Sequence, residues 1–270
     1  MLRRRRPAVA LLLALAVGQV GVGCAKRPPD VPFEDGVVVF AAASLRDAFT
    51  TLVEPFEREH PGSKVTFNFA GTQELRAQLE QGAAVDVFAS ADQKQMGELV
   101  KNSRVVRPVV FARNEPVVVV AKGSEATVKT FADLARAERV VVGAPEVPIG
   151  RYTQKVLEQA AAGPMGAEFR KQVEAHVVSR ELNVRQVLAK VTLGEAQAGL
   201  VYRTDAKSAS AEGKVGVVAI PAEVNVIAEY PIAAVAGGPH PQLARAWVAF
   251  VMSEAGQKAL RDAGFLAPAP

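Results

Sequence analysis

Cysteine is almost missing from this chain. Cys24 stands alone among 270 residues, so no disulfide can close within it and no CxxC redox or zinc pair exists. Histidine is scarce too. His60, His176 and His240 are scattered, His60 against Pro61 and His240 between two prolines, and all three read as surface residues. A Ser–His–acid hydrolase would need one of them beside its nucleophile, and no GxSxG accompanies them. HExxH and the phosphate-cradling GxxxxGK are also absent. Asp86 and Asp92 come nearest to a carboxylate pair, but Asp92 reads as a helix cap and Asp86 as a strand-edge residue. Net charge is missing from the body of the chain. Arg3 to Arg6 account for four of the 32 basic residues and residues 1–23 hold no acid, which leaves 28 residues of each sign from Cys24 onward. That balance removes the electrostatic case for nucleic acid or an anionic membrane surface as a partner.

What is present begins with a leader. The Arg run precedes an apolar stretch, Ala8–Val17, too short to span a bilayer comfortably. A basic head, a short apolar body and small residues before a cleavage point make residues 1–23 a secretory signal peptide. Cys24, after Gly23, sits where bacterial lipoprotein precursors carry the cysteine that becomes a lipidated N-terminus. Ordinary signal cleavage is the alternative. The Pro-rich, charged segment up to Gly36 reads as a tether, residues 24–36.

The stretch Val37–Leu45, VVVFAAASL, then sets a theme. Val37 to Phe40 read as a strand buried on both faces. Three alanines follow, and Ser44 opens a helical pattern carried by Leu45, Ala48, Phe49, Leu52, Val53 and Phe56. Ser44 with Asp47 resembles a capping box, and Pro55 should kink the helix or end its regular part. The spacing therefore predicts unpaired N–H groups and a hydroxyl at a helix start, a place that favours an anion. The device returns at Val65–Phe69, where a strand leads to Ala70-Gly71 and Thr72 as an N-cap. It returns again at Asn183, which caps a helix bearing Val184, Val187, Leu188 and Val191. Pro145 and Pro148 bracket a loop ending Ile149-Gly150, with a helix from Arg151.

Strands and helices alternate at short spacing throughout, which predicts an α/β fold with parallel sheets and helices on both faces. One sheet or two lobes both remain open on pattern alone. In such sheets ligands bind at the C-terminal ends of the strands. The hydroxyls and helix starts collected there, without an invited cation, suit a fully ionised oxyanion. Ser44 as a hydrolase nucleophile is the competing reading.

Six blocks carry a resemblance: FAAASL at Phe40–Leu45, FAGTQEL at Phe69–Leu75, DVFASADQ at Asp86–Gln93, VPIGRY at Val147–Tyr152, NVRQVLAKVTLGEA at Asn183–Ala196 and GLVYRTDA at Gly199–Ala206. In this order the chain resembles the molybdate-binding lipoproteins and periplasmic proteins of ABC transporters, over about Val37 to Phe265. The resemblance implies a two-lobed, type II solute-binding fold, each lobe a mixed, mostly parallel sheet flanked by helices, with two chain crossovers. Lobe 1 would hold residues 37–115 and 230–270, and lobe 2 residues 116–229. It implies molybdate, and tungstate with it, held between the lobes by uncharged donors, with no catalysis and no cofactor. The implied partner is a membrane permease, and the implied state is an extracytoplasmic monomer, anchored in the membrane only through a lipid on Cys24. Carried over by position, Ser44, Thr72 and Tyr202 would donate hydroxyls, and Ile149 and Val184 backbone N–H groups. Thr72 stands where the family most often has serine, and Ile149 where a small residue is common. The same fold around another oxyanion, such as sulfate, or a small carboxylate is the alternative.

Overall fold

Val37, Val39 and Ala41 have no exposed surface, and they lie on a strand paired on both sides, as a continuous apolar run demands. The computed structural model describes residues 36–208 and 210–269. The predicted signal peptide, Cys24 and residues 25–35 lie outside them. Gly36, the last residue of the predicted tether, already belongs to the first strand.

In chain order the first elements are β1 (Gly36–Ala42), α1 (Arg46–Glu59), β2 (Lys64–Ala70), α2 (Thr72–Glu80), β3 (Val87–Ala89), α3 (Gln93–Lys101) and β4 (Val105–Asn114). They are followed by β5 (Pro116–Ala121), β6 (Val140–Gly143), α4 (Pro148–Ala162), α5 (Gly166–Ala175), β7 (Val177–Glu181), α6 (Val184–Thr192), β8 (Ala198–Tyr202), the short α7 (Arg203–Ala206) and β9 (Val215–Val218). The chain ends with β10 (Ala228–Val235), α8 (Pro241–Met252) and α9 (Glu254–Asp262).

Two five-stranded sheets result, ordered β2-β1-β3-β10-β4 and β7-β6-β8-β5-β9. The chain crosses between them twice, at Glu115 from β4 to β5 and again between β9 and β10. Each sheet is the floor of one lobe, so the fold is the two-lobed arrangement with two crossovers. Its sheets are more evenly mixed than helix–strand alternation suggests. In each, two neighbouring pairs are parallel and two antiparallel. The reason is the crossovers: β10 and β5 each enter a sheet from the other lobe and run against their neighbours.

The lobes share their core. One apolar cluster runs from Val37, Phe49 and Trp247 in lobe 1 through Tyr230 and Tyr202 to Val184, Val187 and Leu188 in lobe 2. Trp247, the only tryptophan, meets Phe56 edge-on at 5.0 Å and Phe49 at 5.8 Å, and this aromatic group anchors α1 and α8 to the first sheet. Truncating a buried ring such as Phe49 to alanine would cost about 3–5 kcal/mol.

Three local expectations change and one, that for Pro55, is narrowed. Residues Ala43–Leu45 form a 3-10 turn and α1 starts only at Arg46, so Ser44 caps nothing and the Ser44–Asp47 box does not form. Helix α1 runs through Pro55 to Glu59 without ending there. Gly71, not Thr72, is the N-cap of α2, with the Glu74 carboxylate accepting the Gly71 N–H at 3.0 Å. Helix α4 starts at Pro148 rather than Arg151, because proline at a first helical position loses no hydrogen bond. The histidines also depart from plain surface positions. His60 stacks on Phe56 at 4.3 Å, and His240 donates its backbone N–H at 2.6 Å to the fully buried Asp86, which also accepts from Val38. Asp86 thus ties the first strand to the start of α8.

Candidate functional site

The strands β1, β2, β6, β7 and β8 all deliver their C-terminal ends to one cleft between the sheets. Four helical starts meet there: the turn at Ala43, α2 at Gly71–Thr72, α4 at Val147–Ile149 and α6 at Asn183–Val184. A helix leaves its first amides unpaired, and its dipole makes that end positive. Two starts come from each lobe, so donors face each other across the gap. The cleft encloses about 210 Å³ including its open mouth. A cleft this small fits a ligand of few atoms.

All five residues singled out in the sequence, Ser44, Thr72, Ile149, Val184 and Tyr202, line this cleft, together with Ala42, Ala43, Ala91 and Asn183. All five are buried. Thr72 Oγ1 accepts the Ala91 N–H at 3.3 Å, which leaves the threonine's own hydrogen free to donate. Asn183 caps α6 by accepting the Gln186 N–H at 3.1 Å, as expected. The Ile149 side chain packs towards β6, since a Cβ on Gly143 would fall 2.7 Å from its Cγ2. Its bulk therefore meets the strand end, and its N–H lies in the first turn of α4. Gly150 must be glycine at this spot. A Cβ there would meet the Ala144 carbonyl oxygen at 2.0 Å and that of Gly143 at 2.5 Å.

Tyr202 ends β8 fully buried, its ring between those of Tyr152 at 6.3 Å and Tyr230 at 5.7 Å. Its hydroxyl has no hydrogen-bond partner among the described residues. Burial pushes its pKa well above the ordinary tyrosine value, so the group stays protonated and remains a donor. A buried, unpartnered hydroxyl costs about 1–3 kcal/mol unless a ligand accepts from it.

Among the described residues, no charged side chain lines the cleft. Arg151 and Arg185, on the two lobe 2 helices that start at the cleft, are spent on carboxylates. Arg151 Nη2 lies 2.7 Å from Asp92 Oδ2, and Arg185 contacts Asp205 Oδ1 and Asp47 Oδ2, each at 2.9 Å. Burial raises the pKa of Asp92 and lifts Asp205 to about 6, while Arg151 and Arg185 respectively oppose the shift. The Arg151–Asp92 and Arg185–Asp47 pairs also join the lobes, since Asp92 and Asp47 belong to lobe 1 and both arginines to lobe 2. Gln73 adds a hydrogen bond of 2.7 Å to the Leu182 carbonyl and Gln95 one of 3.1 Å to that of Glu146. Sequence reasoning found Asp92 as a cap, correctly, as it accepts the Gln95 N–H at 2.8 Å. It missed the pairing with Arg151, and it missed Tyr230, whose hydroxyl lies 3.0 Å from Ser44 Oγ. Nothing local in the sequence marks contacts between residues so far apart along the chain.

Comparison with known proteins agrees with this arrangement. Residues 37–266 match the family described as bacterial extracellular solute-binding protein. The molybdate-binding protein ModA of Mycobacterium tuberculosis is 43% identical over 234 residues, covering 86% of this chain and 85% of the relative. Among solved structures, the periplasmic molybdate-binding protein of Azotobacter vinelandii superposes with a TM-score of 0.74 at 18% identity, over 86% of this chain and 100% of that one. The sulfate-binding protein SubI of M. tuberculosis gives 0.77 at 19% identity, over 87% of this chain and 88% of that one. These two likenesses bear on the fold alone.

Proposed function

This chain belongs to the bacterial extracellular solute-binding proteins, within the group of the molybdate-binding proteins, and on that premise we propose that it captures molybdate, with tungstate as a second ligand, for an ABC permease. No bond of the ligand is broken. The doubly charged oxyanion takes hydrogen bonds from the Ser44, Thr72 and Tyr202 hydroxyls and from the backbone N–H groups of Ile149 and Val184. The observation that carries this reading is the Tyr202 hydroxyl, a protonated donor that finds no partner among the described residues, in a cleft that no charged side chain among them lines.

Hydrogen bonds to a charged partner contribute about 1.5–3 kcal/mol each. Several of them, less desolvation and ordering, leave about 8–11 kcal/mol, or a Kd from about micromolar to ten nanomolar. Closure of the lobes on the ion follows from contacts that only the closed state makes, and the closed surface is what the permease reads. Sulfate, with shorter bonds, leaves some donors unmade at about 1–3 kcal/mol each. The protein works as a monomer without a cofactor, outside the cytoplasm, held to the membrane by a lipid on Cys24. No helix among the described residues is long and apolar enough to cross a membrane.

Isothermal calorimetry with molybdate, tungstate, sulfate and phosphate tests the reading. Tight binding of the first two and weak binding of sulfate is the expected result. No heat with molybdate or tungstate overturns it, and preference for sulfate would assign the cleft to that ion instead.

A further inference from the structure

Gly71 is held to glycine by something outside its own helix. Its backbone, at φ −61° and ψ 136°, is extended and open to any residue. What forbids a side chain is the opposite lobe. A Cβ on Gly71 would sit 2.3 Å from the Leu182 carbonyl oxygen, a backbone atom of lobe 2. The other atoms it would meet, at 2.4 and 2.7 Å, end the flexible Gln73 side chain and can swing aside. Gln73 Nε2 itself donates to that carbonyl at 2.7 Å. Leu182 is not loose enough to yield. Its N–H donates to Gln186 Oε1 at 3.0 Å, and the next residue, Asn183, accepts the Gln186 N–H at 3.1 Å, so Leu182 is tied to the first turn of α6. Thr72 follows Gly71 directly, and Val184 stands two residues after Leu182. The contact therefore joins the backbone beside a cleft residue of lobe 1 to the backbone beside a cleft residue of lobe 2.

We propose that the Leu182 carbonyl is a closure latch, gripped by Gly71 and Gln73 only when the lobes meet, and that this grip sets the gap between the α2 and α6 ends of the oxyanion site. Gly71 and Gln73 are then positioning residues for binding. Gln73 does not line the cleft, and Gly71 offers a guest no side chain. With the lobes apart, alanine at 71 meets no backbone of lobe 2 and its φ and ψ are unstrained, so the cost of a side chain falls on the closed state alone. With the lobes together, the starts of α2 and α6 must part by about 1 Å to restore van der Waals contact. An ion held from both sides feels that shift at once, because hydrogen bonds to it weaken beyond about 3.2 Å.

This inference rests on the reading of the cleft as an oxyanion site that its ligand closes, and the wild type tests that reading by itself. Sodium molybdate is titrated by calorimetry into the wild type, Gly71→Ala, Gln73→Ala and the double variant. If the wild type binds sulfate and not molybdate, the functional reading fails and the same series, run with sodium sulfate, decides the latch. No binding of either anion overturns both. With a wild type that binds, Gly71→Ala should lose at least tenfold in affinity and Gln73→Ala about 2- to 10-fold. The double variant should lose little beyond Gly71→Ala, since the parted carbonyl is already out of Gln73's reach. Without ligand, Gly71→Ala should unfold in denaturant at the wild-type midpoint or above it, because alanine at an unstrained position is less costly to order than glycine. Affinity of Gly71→Ala within twofold of wild type, or losses that simply multiply in the double variant, overturn the latch. So does a Gly71→Ala protein that is destabilised or unfolded without ligand, which would make the contact a permanent part of the fold.

Discussion

Arg151 of lobe 2 brings Nη2 to 2.7 Å from Oδ2 of Asp92 in lobe 1, and the carboxylate it meets has no exposure to solvent. Asp92 also caps α3, so one side chain serves a helix of its own lobe and holds the other lobe at the same time. Neither residue lines the cleft.

Asp92→Asn should keep the cap, since asparagine caps as well as aspartate, but remove the ion pair. Truncating one partner of a buried charge pair acts mainly on dissociation. Arg151 is partly exposed and can rehydrate, so the expected loss is about 1–2 kcal/mol of molybdate affinity, less than for a fully buried pair. Stopped-flow measurement should find a dissociation rate raised about tenfold with the association rate nearly constant. An unchanged dissociation rate would remove the pair from the closure mechanism.

Tyr202→Phe should move stability and binding in opposite directions. Without ligand, the variant loses an unpartnered buried hydroxyl, so its unfolding free energy should equal or exceed that of the wild type. With molybdate it should bind about 1–2 kcal/mol more weakly. Denaturant unfolding and calorimetry on the same samples check both signs. Equal affinity would take Tyr202 out of the site.

Gly150→Ala reverses an ordinary rule. In an exposed helix this change stabilises by roughly 0.8–1 kcal/mol. Here the new Cβ would sit 2.0 Å from the Ala144 carbonyl oxygen. The start of α4 must shift, and with it the Ile149 N–H. A destabilisation of about 1–3 kcal/mol, with molybdate affinity falling at least tenfold, is the expected outcome. A variant as stable as wild type would show that β6 and α4 are less tightly packed than described.

Asp205 gives stability a pH signature. Its carboxyl titrates at about 6 in the folded protein because burial disfavours the charge, against Arg185 and the Tyr202 N–H, which favour it. Asp47 lies near enough to add to the upward push. Between its ordinary range and pH 6 the folded state therefore holds more proton than the unfolded, and this contribution falls as pH rises through that window. Relative to Asp205→Asn, the wild type should lose stability from pH 4 to pH 6.5 in denaturant titrations. A parallel pair of curves would contradict the assignment.

Much of this was legible beforehand because the site is built of local devices. A buried strand, a small-residue turn and a helix start are written in consecutive residues, so Ser44, Thr72 and Val184 could be located from pattern and resemblance together. Where reading by pattern went astray, a distant partner had overridden a local preference. Ser44 looked like a cap, but Tyr230, 186 positions away, claims its hydroxyl. Thr72 looked like a cap, but Gly71 takes that place because a side chain there would strike the Leu182 carbonyl of the opposite lobe, 2.3 Å from the would-be Cβ. Asp86 looked like an edge residue until the chain end returned His240 to it. None of these pairings has a periodicity or a spacing to betray it.

The occupied lone pair on Thr72 has an outcome for chemical discrimination that charge alone would not supply. With the Ala91 amide on its oxygen, this hydroxyl turns its hydrogen rather than that lone pair towards a guest. An anion that arrives carrying a proton of its own, as hydrogen phosphate does at neutral pH, meets hydrogen against hydrogen. Acid strength of the guest, as much as its radius, then decides admission.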